Sequence, residues 1–162
     1  MKENKVLFMN QAAMIAAIYV VLTYIFAPFS FGEVQVRISE ALTILPIFTP
    51  AAIPGLFAGC LIGNILGGAI LPDIVFGSIA TLIGAFFTWK LREQKPVVAT
   101  FPPIISNIII VPFVLRYGYG VTLPIPFMML TVGIGEVISC TVLGLIVYGA
   151  LKKYKSTLFR TA

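Results

Sequence analysis

The sequence predicts an all-α integral membrane protein of about six transmembrane helices, with the N and C termini cytoplasmic, and three observations predict it. Of the 162 residues, 59% are hydrophobic and only 10% charged, with a mean hydropathy of +1.05. Soluble domains carry roughly 25% charged residues, so the bilayer, not water, is the solvent for such a surface. The apolar residues also fall into runs suited to crossing the hydrocarbon core, which takes ~20 residues per helix. Six such runs use about 120 residues, which leaves short loops, no room for a soluble domain, and a single membrane domain over 1–162. Finally, the basic residues gather at alternate ends of the runs, as spanning helices require.

Taken in order, the first run covers about residues 10–27 and follows Lys2 and Lys5. A signal peptide has a shorter apolar core of about 7–15 residues and a small-residue cleavage site. Ile25-Phe26-Ala27-Pro28 is a poor one, so the run is read as a span. It carries two interleaved pairs of small residues, Ala12 with Ala16 and Ala13 with Ala17. Residues four apart share a helix face, which here lets another helix approach closely, inside the bundle or in a partner. The second run, 38–48, is short; Pro46 lies inside it and Pro50 follows, so it is expected to dip partway or turn sharply into the third. The third, 50–70, repeats glycine at Gly55, Gly59, Gly63 and Gly67, a pattern for tight packing. The fourth covers 72–89, the fifth 99–115, and the sixth, 124–151, is long enough to tilt or to extend into the cytoplasm.

With the N-terminus inside, the cytoplasmic segments hold Lys2, Lys5, Lys90, Arg92, Lys95, Lys152, Lys153, Lys155 and Arg160, and the outer segments only Arg37 and Arg116. That bias sets the topology. It also accounts for the net charge of +5 without any nucleic acid as partner. The chain contains no histidine, which removes His-based general-base chemistry and His-ligated metal sites. Cys60 and Cys140 stand alone in apolar runs and read as small hydrophobes in helix packing.

The remaining polar residues matter because an ionisable side chain within a span costs at least ~2.5 kcal/mol near the bilayer centre and is a functional candidate by default. These are Arg37 and Glu40 at the start of the second span, Asp73 at the start of the fourth and Glu136 within the sixth, with the amides Asn64 and Asn107 in the third and fifth. In the predicted orientation Glu40, Asp73 and Asn64 lie in the outer half, and Asn107 and Glu136 near the middle. The pattern describes a cavity open to the outside above a dry inner half. Carboxylates and amides can read the edge of a heterocycle with N–H donors, and Phe31, Phe76, Tyr117, Tyr119 and Phe127 can stack on it. Plainer readings stand beside these. Arg37 and Glu40 are spaced for a helical salt bridge, Asp73 for a helix N-terminal acid, Asn64 and Asn107 for interhelical hydrogen bonds, and Tyr117 and Tyr119 for an interfacial belt. Glu136 has no comparable plain reading, because Gly133 and Gly135 leave space beside it.

The segment Phe31 to Leu42 (Phe-Gly-Glu-Val-Gln-Val-Arg-Ile-Ser-Glu-Ala-Leu), with Ala52 to Cys60 (Ala-Ile-Pro-Gly-Leu-Phe-Ala-Gly-Cys) and Asp73 to Gly77 (Asp-Ile-Val-Phe-Gly), resembles the QueT family. Its members are substrate-binding S-components of energy-coupling factor (ECF) transporters. The resemblance covers nearly the whole chain and is most specific at Arg-Ile-Ser-Glu-Ala-Leu. It implies the S-component fold, a bacterial cytoplasmic membrane, and import of a queuosine precursor, 7-aminomethyl-7-deazaguanine or its 7-cyano relative. It also implies no cofactor in this chain. ATP is used by two separate ATPases that act with a transmembrane coupling subunit, and the S-component topples to release its cargo. Ala12, Ala13, Ala16 and Ala17 look like the docking face for that subunit. For such a ligand Glu40 and Glu136 are the principal acids, followed by Asn107 and Asp73. Its carbonyl wants a donor, which Asn64, Asn107 or Arg37 could supply, and a cationic aminomethyl arm favours a second acid.

Three other readings compete. An S-component for another vitamin shares the architecture, although the missing histidine speaks against the metal-transporting branch. A stand-alone facilitator would be favoured by internal repeats, which the two halves do not show. An intramembrane enzyme needs a nucleophile with a base or clustered metal-binding acids, and Ser39, Ser78, Ser106 and Ser139 have no base partner in the sequence pattern.

Overall fold

The structure is a computed structural model that describes residues 2–26 and 36–159. Within them every regular element is a helix. Helix α1 (Lys2–Ile25) is followed by a 3-10 helix (Ile38–Ile47), α2 (Ala52–Leu66) and α3 (Leu71–Lys90). A single turn at Pro96–Ala99 leads into α4 (Phe101–Tyr117). The last rod is built of α5 (Ile125–Glu136), a π-helical segment (Val137–Leu143) and α6 (Gly144–Lys152), with a further turn at Lys155–Leu158. Four stretches are long and apolar enough to cross a membrane: Lys5–Ile25, Leu71–Lys90, Pro96–Tyr117 and Ile125–Lys152. Large side chains such as Ile62, Leu66, Phe87, Phe113, Leu130 and Ile146 are exposed on the outside, as a lipid-facing surface demands.

The second and third predicted runs are shorter than a full crossing. The 3-10 helix has 10 residues and α2 has 15, about 20 and 22 Å at their respective rises, against ~30 Å of hydrocarbon. Pro46 lies within the 3-10 helix, where it has no amide hydrogen to donate. At the other end α2 closes on Gly67, and the following Gly68 adopts φ +76°, a left-handed conformation that only glycine takes at no steric cost.

The 3-10 helix is the centre of the bundle. Residues Ser39 to Pro46 are all buried, and the element packs against α1, α2, α3, the π-helical segment and α6. The main core gathers Leu42 and Leu45 from it, and Phe48 just after it, with Ile15 and Tyr19 of α1, Leu56 and Cys60 of α2, and Ala85 of α3. A second core joins Val111 and Leu115 of α4 to Met128 and Val132 of α5.

Small residues decide how closely the helices approach. A Cβ at Gly55 would lie 2.7 Å from the Ala12 carbonyl oxygen, and one at Gly59 2.7 Å from Tyr19 Cβ and 3.1 Å from Ala16 Cα. The glycine face of α2 thus seats on the Ala12–Ala16 face of α1. Ala13 and Ala17, a hundred degrees round the helix, remain exposed. Gly84 plays the same part between α3 and α4, where a Cβ would meet Pro103 Cα at 2.6 Å.

Candidate functional site

Two polar clusters lie inside the apolar bundle. The first sits where the 3-10 helix begins and α3 starts. Arg37 Nη2 is 3.4 Å from Asp73 Oδ2, and the Tyr119 hydroxyl, from the α4–α5 connection, donates to the same oxygen at 3.0 Å. Arg37 Nη1 reaches Asn64 Oδ1 at 3.5 Å, and Asn64 Nδ2 donates to the Asp73 carbonyl at 3.3 Å. Asp73 stands in the first turn of α3, where the positive end of the helix dipole favours a carboxylate. Gly77 one turn later leaves the room, since a Cβ there would lie 3.1 Å from Asp73 Oδ1 and 3.3 Å from Asn64 Nδ2. Burial, with the neighbouring Asp73 carboxylate, pushes the Tyr119 phenol above its ordinary value, which keeps it a donor at neutral pH.

The second cluster lies two turns further along α3, about 12 Å at the helical rise. Tyr19 of α1 donates to Glu40 Oε1, and the Thr81 hydroxyl sits 3.4 Å from that oxygen and 3.4 Å from Cys60 Sγ. Opposite, the Cys140 thiol donates to Glu136 Oε2 at 3.2 Å, the Thr43 hydroxyl lies 3.5 Å from Cys140 Sγ, and Asn107 faces the Glu136 carboxylate. Glu136 is the last residue of α5 before the π-helical segment; such widened turns recur at functional sites. Glu40, Glu136 and Cys140 each bring one oxygen or sulfur to within 4.8 Å of the other two. Among the described residues this is the one place where three acid or thiol groups converge closely enough to surround a cation.

Apart from Tyr119, which is partly exposed, these groups are sealed from solvent. Arg37, Glu40, Asn64, Asn107, Asp73 and Glu136 are each 5% exposed or less, so the predicted open cavity is closed over by packed side chains in this structure. Two acceptors within the clusters have no hydrogen bond among the described residues: Glu40 Oε2 and Asp73 Oδ1. A buried acceptor left unmet costs about 1–3 kcal/mol, so each of these two oxygens has capacity for a further donor.

The structure therefore brings Arg37, Asn64 and Asp73 together in one cluster and Glu40, Glu136 and Asn107 in the other. Glu40 takes its hydrogen bond from Tyr19 and Arg37 pairs with Asp73, so the helical Arg37–Glu40 bridge is not what organises these residues. Tyr117 does not join them. It is 78% exposed, stacks on Phe113 at 6.4 Å between ring centroids, and borders an apolar groove of about 510 Å³ with Pro72, Phe76 and Ile109. Phe31 lies outside the described residues. Sequence reasoning overlooked Tyr19 and Thr81 and treated Cys140 as packing. Tyr19 was within reach, because it continues the face of Ala12 and Ala16 at helical spacing and carries a hydroxyl deep in an apolar run.

Comparison with known proteins bears on this arrangement. The family described as QueT transporter matches residues 9–153. A relative named queuosine precursor transporter QueT, from Lactococcus lactis subsp. cremoris (strain MG1363), is 33% identical over 85 residues, 51% of this chain and 50% of the relative. The chain thus spans about half the length of the curated relative it matches. No solved structure matches it.

Proposed function

The chain belongs to the QueT transporter family, and from that premise we propose that it is the substrate-capture subunit of an ECF-type importer. Its ligand is a queuosine precursor of the 7-deazaguanine type, taken up from outside a bacterial cytoplasmic membrane. The observation that carries this reading is the pair of buried polar clusters with the unmet acceptors Glu40 Oε2 and Asp73 Oδ1 inside a bundle whose outer face is apolar. A deazaguanine presents N1–H and a 2-amino group as adjacent donors, which a carboxylate accepts together. Its carbonyl finds donors in Arg37 and Asn64.

In this reading the protein crosses the membrane six times, with the 3-10 helix and α2 counted as the two short members. Both termini face the cytoplasm, in keeping with nine basic residues on that side against Arg37 and Arg116 on the other. The chain hydrolyses no ATP and holds no cofactor. A transmembrane coupling subunit and two ABC ATPases supply the energy, and the coupling subunit docks on α1. Because Ala12 and Ala16 are occupied by α2, docking falls to the exposed pair Ala13 and Ala17.

Mass spectrometry of small molecules that copurify with the protein tests the assignment, followed by titration of the purified chain with deazaguanines. The reading expects a bound deazaguanine and an affinity that Glu40→Gln and Glu136→Gln both weaken. Unchanged affinity in both variants overturns the site, and recovery of an unrelated vitamin overturns the ligand.

A further inference from the structure

We propose that the Glu40–Glu136–Cys140 cluster is a subsite for a primary ammonium group, so that the ligand this protein captures carries a positive charge. The inference rests on the nucleobase-like reading above and decides which member of that class the site takes.

The argument starts from charge. Among the described residues the buried ionisable groups of acidic or basic type are Arg37, Glu40, Asp73 and Glu136: one cation against three acids. Arg37 lies 3.4 Å from Asp73, and both are almost fully buried, so Asp73 is the acid its guanidinium meets directly. Glu40 and Glu136 remain, with ligand atoms within 4.8 Å of each other and of Cys140 Sγ, and with no lysine or further arginine buried near them. Two carboxylates held that close in a low-dielectric interior cannot both stay ionised without a positive charge between them, so a cationic ligand group fits there and a second anion does not.

Hydrogen bonding points the same way. The groups that touch these acids from the surrounding elements are donors already in use: Tyr19 from α1 and Thr81 from α3 on Glu40 Oε1, and the Cys140 thiol and the Asn107 amide of α4 on Glu136. Cys60 of α2 is held by Thr81, and Thr43 of the 3-10 helix turns to Cys140. Glu40 Oε2 is buried and accepts nothing. An ammonium group offers three donors and a full charge, which matches the Glu40 and Glu136 carboxylates that converge beside the Cys140 sulfur. A nitrile offers neither. The first cluster, with guanidinium, amide and carboxylate side by side, has the mixed donors and acceptors that suit the edge of a neutral heterocycle. The two clusters therefore divide the ligand between ring and arm.

The test is calorimetric titration of the full chain in detergent, with EDTA throughout so that no metal ion replaces the ammonium. The ligands are 7-aminomethyl-, 7-hydroxymethyl- and 7-cyano-7-deazaguanine. The aminomethyl compound is expected to bind at least about tenfold more tightly than the other two, the range of a charge-assisted hydrogen bond. On Glu136→Gln, and independently on Glu40→Gln, it is expected to lose at least about tenfold more affinity than the cyano compound loses. Equal binding of all three by the wild-type protein overturns the ammonium subsite alone, as does a variant that weakens all three alike. Failure of the wild-type protein to bind any of them overturns the nucleobase reading and this inference with it.

Discussion

At the scale of single residues, the buried Arg37–Asp73 pair and the Tyr19–Glu40 hydrogen bond make different demands. Asp73→Asn leaves the Arg37 guanidinium buried beside a neutral amide, and removal of one partner from such a pair costs about 3–5 kcal/mol. Thermal unfolding in detergent is expected to show a clear fall in Tm. Adding Arg37→Gln should return part of it, because the two changes share one interaction; strict additivity would show that the pair is not coupled. Tyr19→Phe removes the donor to Glu40 Oε1 and leaves that oxygen only Thr81 at 3.4 Å, a loss of about 1–3 kcal/mol. Tyr119→Phe should be milder in the same assay, since Tyr119 is 41% exposed and water can replace its hydroxyl.

At the scale of elements, the bundle depends on where a side chain is missing. Gly59→Leu and Gly84→Leu place atoms where even a Cβ would stand 2.7 Å from Tyr19 Cβ or 2.6 Å from Pro103 Cα. Both are expected to lower Tm, and Gly59→Leu should also weaken ligand binding by displacing Tyr19. Gly149→Ala in α6 meets nothing within 4 Å and should be neutral or stabilising by up to ~1 kcal/mol; equal damage from all three would refute the packing argument. Ala17→Phe alters only the exposed face of α1. It is expected to leave ligand affinity intact while abolishing uptake by the assembled transporter, and loss of both together would place Ala17 inside the binding machinery.

At the scale of the whole molecule, the proposed topology makes its own demands. Cys60 and Cys140 are buried, so introduced cysteines can be labelled against a silent background. Arg92→Cys and Lys153→Cys should react only from the cytoplasmic side of oriented vesicles, and Thr122→Cys only from outside; the opposite result inverts the topology. Liposomes that hold this chain alone should take up no ligand, whereas liposomes that also hold the coupling subunit and ATPases should do so with ATP. Uptake by the chain alone would make it a facilitator. Most of the helical organisation behind these tests was legible in the residues, because hydropathy acts locally and Pro46, Pro50 and the glycines at four-residue spacing mark breaks and close contacts where they stand. The candidate acids were legible too, since Glu40, Asp73 and Glu136 are conspicuous in apolar runs. What was not legible is that the short second run is the centre of the bundle, that Tyr117 faces outward while Tyr119 turns in, and that the acids are closed over by neighbours.

By itself, then, the sequence determined that the chain folds as membrane-crossing helices and which polar groups those helices must bury, because the transfer of a side chain into hydrocarbon depends chiefly on that side chain. Only the tertiary structure decided who meets whom. Tyr19 reaches Glu40 across 21 residues and Arg37 reaches Asp73 across 36, while the approach of Glu40 to Glu136 and Cys140 joins the 3-10 helix to the far end of the chain. Such pairings depend on how close one helix can come to the next, and that is settled by the joint fit of glycines, alanines and prolines on several helices at once.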